Sequence, residues 1–471
     1  MYTGKKINEA DVGSLSVMSS ELKMLKTAFL VTFLGLLVQM AQAVEMPLNQ
    51  IPAAVCSDVF NEHVAESISP NDLVPMPKTR ITDPGTGAEY TNLKAKGTPK
   101  VRCQVKTKDS GYFYVTVTGS ATIEGDVTGS TSAVPCKVET LVSAPFEIKT
   151  TPMGDLKCGA TPSTDQATVS CKSNPETSGG LLSVIRALLN ILTSLLNVLN
   201  TTLRNVINSL LPNILTTVKN TLDSSLKRLT DPIPMGNYTC KYKVMDVKTD
   251  ANGYMKMVVQ QNKYADGGTP KPTPVGTYDA PELKPERDSA CVFALHERLI
   301  STALEDYTQK PFEIIGGDGL IALSQTIKQL CGKDIDIVKL VFKPSGSPQV
   351  KITENNVSCK LTGMFEVYAR GSDLPFQEAS GYLAFTGQFG FSGTCITIML
   401  TFDGVGEVKF VRGQPSCDLS YQASQTFTAE LRGKASITEC IAVSPIAHLP
   451  PKGKTMCTPK ASYLLVEQKK Y

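Results

Sequence analysis

Between Gly180 and Leu229 apolar side chains return every three or four residues: Leu188, Leu192, Leu195, Leu199, Leu203, Val206, Leu210, Ile214, Val218, Leu222 and Leu226. That spacing places them on one face of an α-helix. The opposite face is Asn, Ser and Thr, with very few charges. Leu182, Ile185, Leu189 and Leu196 add a second apolar band from Leu181 to Leu199. A helix apolar over more than half its circumference is covered on more than one side. Residues 181–210 alone would measure about 45 Å as a helix. Pro212 lies inside the pattern and lacks a backbone donor, which predicts a kink or break there. Asp231-Pro232-Ile233-Pro234 ends the segment.

Almost everything else alternates apolar with polar, as strands do. KVRCQVKT, GYFYVTVTGSATIEGDV, APFEIKTT and DLKCGA precede the helix; NYTCKYKVMDVKTD and GYMKMVVQQNKYA follow it. A short helix is expected over CSDVFNEHVAESI, closed by Ser69-Pro70. Residues 269–288 hold five prolines and many charges, the composition of an extended linker. Beyond it, ACVFALHERLISTALEDY and DGLIALSQTIKQLC have helical spacing. DIVKLVFK, QVKITENNVSCKLTGMFEVYAR, GYLAFTGQFGFSG, TCITIMLTF, GEVKFV and AELRGKASI are expected strands. The fold class is therefore α+β. The expected division is 1–43, 44–268 as a first domain with the long helix, a linker at 269–288, and 289–471 as a second domain.

The N-terminus points to an export route. Lys23 and Lys26 precede the apolar run TAFLVTFLGLLV, and Ala41-Gln42-Ala43 follows with a small-x-small pattern. The run is shorter than the roughly 20 residues of a transmembrane span. A secreted, extracellular chain beginning at Val44 is expected, with Met24 a candidate start. Thirteen cysteines then suit disulfides in an oxidising compartment. An odd count leaves one free or bonded to another chain. Cys158 and Cys171 flank the turn-rich Thr161-Pro162-Ser163-Thr164-Asp165, so a hairpin would set them opposite each other; Cys240 is the rival partner of Cys171. Asn200, Asn237 and Asn356 stand in glycosylation sequons, Asn200 on the helix side away from the leucines.

Charge and motifs narrow the chemistry. A net charge of +3 over 471 residues is too small for a nucleic-acid protein. No CxxC pair or spaced His set suggests a metal, and no cofactor is implied. His63, His296 and His448 are scattered, and no GxSxG, HExxH, P-loop or GxGxxG after a strand is present, so no enzyme is expected. Lys94, Lys96, Lys100, Arg102, Lys106 and Lys108 cluster on strand-like segments, where lysines commonly guard a sheet edge.

The order of elements resembles the bactericidal/permeability-increasing protein and lipopolysaccharide-binding protein family of the tubular lipid-binding superfamily. GDLKCGATPSTDQATVSC with the helix after it, CVFALHERLISTALEDYTQKPFEI, and the spacing of QVKITENNVSCKLTGMFEVYA carry the resemblance, over roughly residues 100–410. It implies two elongated domains, each a highly curved antiparallel sheet wrapped around helices, with acyl chains in an apolar tube. It also implies a basic tip for anionic head groups and, most commonly, a role in innate defence. The family's disulfide from hairpin to long helix has no equivalent, because no Cys lies between 172 and 239.

The expected function is binding of a phospholipid, fatty acid or lipopolysaccharide-like amphiphile. The expected lining is Leu182, Ile185, Leu188, Leu189, Leu192, Leu195, Leu196, Leu199, Leu203 and Val206. Two rivals use the same helix: a surface-active protein of a secretion, and a ligand-free interaction module with a packed core.

Overall fold

The structure, a computed structural model, describes residues 44–76, 80–108, 111–130, 133–176, 182–235, 238–265, 268, 270–271, 275–305, 310–354, 356–449 and 453–470. For 182–189 it describes the backbone alone. The expected leader and its cleavage region therefore lie outside the described residues, as does Asn237.

The chain divides into two units, Met1–Met46 with Asp279–Glu282, and Pro47–Tyr278 with Leu283–Tyr471. The described residues of the first, 44–46 and 279–282, include most of β1 (Val44–Pro47) and the end of a late strand, Thr277–Ala280. The second unit carries the rest.

That larger unit begins with β2 (Gln50–Cys56), a 3₁₀ turn at Ser57–Phe60, α1 (Asn61–Ser67) and α2 (Pro70–Leu73). A six-strand group follows: β3 (Arg80–Thr82), β4 (Glu89–Lys108), β5 (Tyr112–Val127), β6 (Val134–Thr150), β7 (Leu156–Cys158) and β8 (Thr168–Pro175). Then come the long helix α3 (Leu182–Arg228), β9 (Ile233–Met235), β10 (Tyr238–Thr249) and β11 (Tyr254–Ala265). After β12 (Thr277–Ala280) the chain forms β13 (Ser289–His296), α4 (Glu297–Ala303), β14 (Phe312–Ile315), α5 (Asp318–Cys331), β15 (Ile337–Pro344) and β16 (Gln349–Ile352). It closes with β17 (Val357–Ala369), β18 (Gln377–Ser392), β19 (Cys395–Arg412), α6 (Ser420–Leu431), β20 (Ser436–Val443), β21 (Thr455–Lys460) and β22 (Tyr463–Lys469).

Three antiparallel sheets result. The first runs β3-β4-β5-β6-β7, with β8 on β6; the last runs β14-β15-β17-β18-β19-β20, with β16 on β17. Bulges between Thr91 and Lys94, and between Lys96 and Lys100, interrupt the β4–β5 register, and such bulges bend a strand. A third sheet of seven strands, β21-β22-β13-β2-β11-β10-β9, draws on segments before, between and after these two. Its β2 is flanked by β11 and β13, so residues from before and after the proline-rich stretch share one ladder.

The strand alternation is clean. In β5 every second residue from Phe113 to Val127 is buried, and β6 repeats the pattern from Val134 to Ile148. Gly119 belongs to this inward row because α2 comes close: a Cβ there would lie 2.6 Å from Leu73 Cβ. Thr140 Oγ1 donates to Leu73 O at 2.5 Å and fixes that approach.

Three expectations on local structure are corrected. Pro212 does not break α3, which continues to Arg228. ACVFALH is strand β13, and only Glu297–Ala303 is helical. Seven of its eight residues are buried, and an unbroken apolar run in a covered strand mimics a helical one. AELRGKASI is not one strand: its first three residues end α6, a helix unread in the sequence, and β20 begins at Ser436.

Candidate functional site

The 47 residues of α3 span about 70 Å at 1.5 Å per residue. The helix packs on β3, β7 and β8 and on α1 and α2. Its buried row is Leu192, Leu195, Leu196, Leu199, Leu203, Ile207, Leu211, Ile214, Leu215, Val218, Leu222 and Leu226. These side chains join one apolar core with the inward faces of β5 and β6, among them Val115, Val117, Ile123, Val138, Val142 and Phe146.

Of the expected lining, Leu192, Leu195, Leu196, Leu199 and Leu203 lie in this core, each at most 6% exposed. Val206 does not; it is 37% exposed, and Ile207 takes the inward position. The correction is one of period. Beyond Leu203 the buried positions advance to Ile207 and Leu211, four residues at a time, rather than to Val206 and Leu210. The side chains of Leu182, Ile185, Leu188 and Leu189 lie outside the described residues.

Polar contacts hold the apolar helix along its length. Near its start, Ser194 Oγ donates to Asp83 Oδ2 at 2.7 Å. The same carboxylate accepts from Thr86 Oγ1 at 2.5 Å and from the Gly85 N–H at 3.1 Å. The Thr86 hydroxyl first, then Ser194, holds the Asp83 carboxyl below the usual carboxylate range. Ser173 Oγ donates to Leu196 O at 3.3 Å, which ties β8 to the helix. Toward the other end, the Cys158 N–H donates to Asp223 Oδ1 at 2.6 Å, and Lys219 pairs with Asp223 Oδ2 at 2.5 Å.

Cys158 and Cys171 are not bonded to each other, contrary to expectation. Cys158 on β7 stands opposite Ile148 of β6, and Cys171 on β8 opposite Thr140 of the same strand. Those two partners are about 27 Å apart along β6 at 3.4 Å per residue. Burial pushes both thiols up, with the Asp223 carboxylate adding to the effect at Cys158. The disulfides are instead Cys331–Cys417 and Cys395–Cys440. The first joins the end of α5 to the turn before α6; the second joins adjacent strands β19 and β20. Sequence separations of 86 and 45 hid both. Of the nine free thiols, Cys103 and Cys457 alone are only partly buried, so they are the ones nearest the surface for a link to another chain.

Asn200 is half-buried, and its Oδ1 is enclosed without a hydrogen-bond partner; the open solvent face expected for it is not found. Asn356 is exposed, in a turn where its Oδ1 accepts from the Val357 N–H at 2.8 Å. The six basic residues of β4 are all exposed. Lys94 and Lys96 pair with Glu124, and Lys108 Nζ lies 4.2 Å from the centre of the Tyr114 ring.

Among the described residues one acidic trio, Glu286, Asp288 and Glu467, brings its oxygens within 4.8 Å of one another. The Lys469 ammonium lies among them, at 2.6 Å from Glu286 and 3.0 Å from each of the others. Also among the described residues, no helix is long and apolar enough to cross a membrane.

No protein-family model matches the chain, and no curated protein matches it in sequence. Among solved structures, the crystal structure of a lipopolysaccharide binding protein is similar over 90% of this chain and 98% of that one, with a TM-score of 0.48 and 13% identity.

Proposed function

We propose that this chain is a secreted amphiphile-binding protein that takes acyl chains between the long helix and the curved sheet of β4 to β8. The observation that carries the reading is the shared core itself. Leu195, Leu196, Leu199, Leu203, Ile207 and Leu211 face the same apolar interior as the alternating inward residues of β5 and β6. A slot would open where this aliphatic row parts from the sheet. An acyl chain entering such a slot gains about 0.8 kcal/mol for each methylene it buries. Few polar groups would need to part. Ser173 and Ser194 bond to the helix or from it at single points, whereas the row between those points is aliphatic.

Export rests on the leader-like sequence that ends at Ala43 and on the two disulfides of the second half. Phospholipid or fatty acid is the ligand class, because the buried row is long and carries no charged side chain.

Photo-crosslinking tests the reading. Phosphatidylcholine with a photoactivatable group near the acyl terminus should label peptides from 190–226 and from β5 and β6. Labelling confined to surface segments such as the exposed edge of β4 would refute it.

A further inference from the structure

His296 ends β13 and caps α4. Its Nδ1 accepts from the Arg298 N–H at 3.2 Å, the bond by which an N-cap side chain satisfies the first turn of a helix. Only the neutral ring can make it, with the proton on Nε2; in the imidazolium both ring nitrogens donate. The helix in turn covers one edge of β16. Glu297 Oε2 accepts from the Ile352 N–H at 3.0 Å, and Ser301 Oγ accepts from the Val350 N–H at 3.2 Å. The other edge of β16 is paired with β17. The Glu297 N–H donates to Ser462 O at 3.0 Å, and the Ser462 N–H donates to Ile352 O at 3.2 Å, so the turn between β21 and β22 joins the same knot.

The His296 ring is half-buried. It lies against Tyr278 of β12, with ring centres 4.6 Å apart, and its ladder neighbour on β22 is Tyr463. The Tyr278 hydroxyl donates to Gln50 O at 2.9 Å, and burial pushes its titration up, so it stays neutral. Glu297 and Arg298 of α4 are the charged groups that act on the imidazole. Burial lowers its proton affinity most; Glu297 raises it, Arg298 lowers it, and the folded value ends below the ordinary 6.5.

We propose that His296 is a pH-operated catch: neutral, it holds α4 over the edge of β16, and protonated, it lets that edge open. The catch is independent of the amphiphile reading. Protonation puts a hydrogen on Nδ1, where it meets the Arg298 N–H, and the cap becomes a repulsion. α4 has only seven residues and little helical stability of its own, so its first turn frays. Glu297 and Ser301 then leave the Ile352 and Val350 N–H groups, and a bare strand edge is a template for another strand. Because the folded value is depressed, the catch is closed above the unfolded value of about 6.5 and opens as pH falls through the folded one.

Hydrogen exchange of the full chain tests this, with rates corrected for the intrinsic effect of pH. Peptides covering 297–303 and 349–352 should lose about fivefold in protection between about pH 7.5 and about pH 5.5, the factor for losing a typical cap. The midpoint of that loss should coincide with the titration of the His296 ring protons followed by NMR. His296→Asn, whose side chain caps a helix without titrating, should keep the protection and remove its pH dependence. Unchanged protection of the wild type across this range would overturn the proposal. A midpoint away from the His296 titration would overturn it too, as would a pH dependence that persists in folded His296→Asn. The wild-type comparison decides by itself if the variant does not fold.

Discussion

The backbone N–H of Cys158 donates to Asp223 Oδ1 at 2.6 Å, and this bond joins the short strand β7 to the second half of the long helix. Asp223 is the point where a helix with an apolar face is fixed in rotation as well as in place. Its other oxygen is held by Lys219 one turn earlier. Asp223→Ala should therefore cost about 1–3 kcal/mol, since a buried-strand N–H loses a charged acceptor. Urea unfolding of the two proteins measures it. A cost within error would mean that the packing of Leu222 and Leu226 fixes the helix alone.

The rotation of the helix has a second check. Leu195 is fully buried and Val206 is 37% exposed. Leu195→Ala should destabilise by about 2–5 kcal/mol, the range for an aliphatic core truncation. Val206→Ala should stay within about 0.5 kcal/mol, as surface changes do. Comparable losses at both positions would place Val206 inward, as the plain heptad-like spacing suggests.

Acid should act on Asp83. Its folded carboxyl lies below the ordinary value because Thr86, Ser194 and Gly85 donate to it. A depressed folded value means that the stabilisation is present above the unfolded carboxylate value of about 3.9 and disappears as pH falls through the folded one. Melting temperatures taken from about pH 5 downward should fall more steeply for the wild type than for Asp83→Asn. Parallel curves would show that the Asp83 cluster contributes nothing to acid sensitivity.

Thiol chemistry separates the two halves of the chain. Peptide mapping without reduction should recover Cys331–Cys417 and Cys395–Cys440, and nine unbonded cysteines. Burial raises all four of these thiols, Cys136 and Cys457 to about 11 and Cys240 and Cys103 to about 12, so access and not acidity ranks them, and native labelling near neutral pH should be slow at the buried Cys136 and Cys240. Partly buried Cys103 and Cys457 should react first. A recovered Cys158–Cys171 peptide would contradict the placement of β7 and β8 on β6.

Much of the fold was legible in the sequence. The alternation of β5 and β6 and the length of α3 come from local periodicity, which sequence carries directly. Leu195, Leu199 and Leu203 were legible for the same reason. What failed depended on neighbours. Val206 and Ile207 are adjacent and both apolar, and only the sheet's position decides which one faces inward. β13 resembled a helix because both of its faces are buried, Cys291, Phe293 and Leu295 in the main core and Val292 and Ala294 in a smaller cluster with Tyr254 and Leu283, a fact set by segments far away in sequence. A cleft between α1 and α3 left no trace, since the segments that line it are 150 residues or more apart in sequence and come together only when α1 docks on α3.

The most direct measurement is native mass spectrometry of the chain produced in a secretory host, before and after denaturation in organic solvent. The account predicts a reproducible mass above that of the protein, released on denaturation as phospholipid or fatty acid. A bare protein mass, under conditions in which a known lipid carrier keeps its cargo, would contradict it.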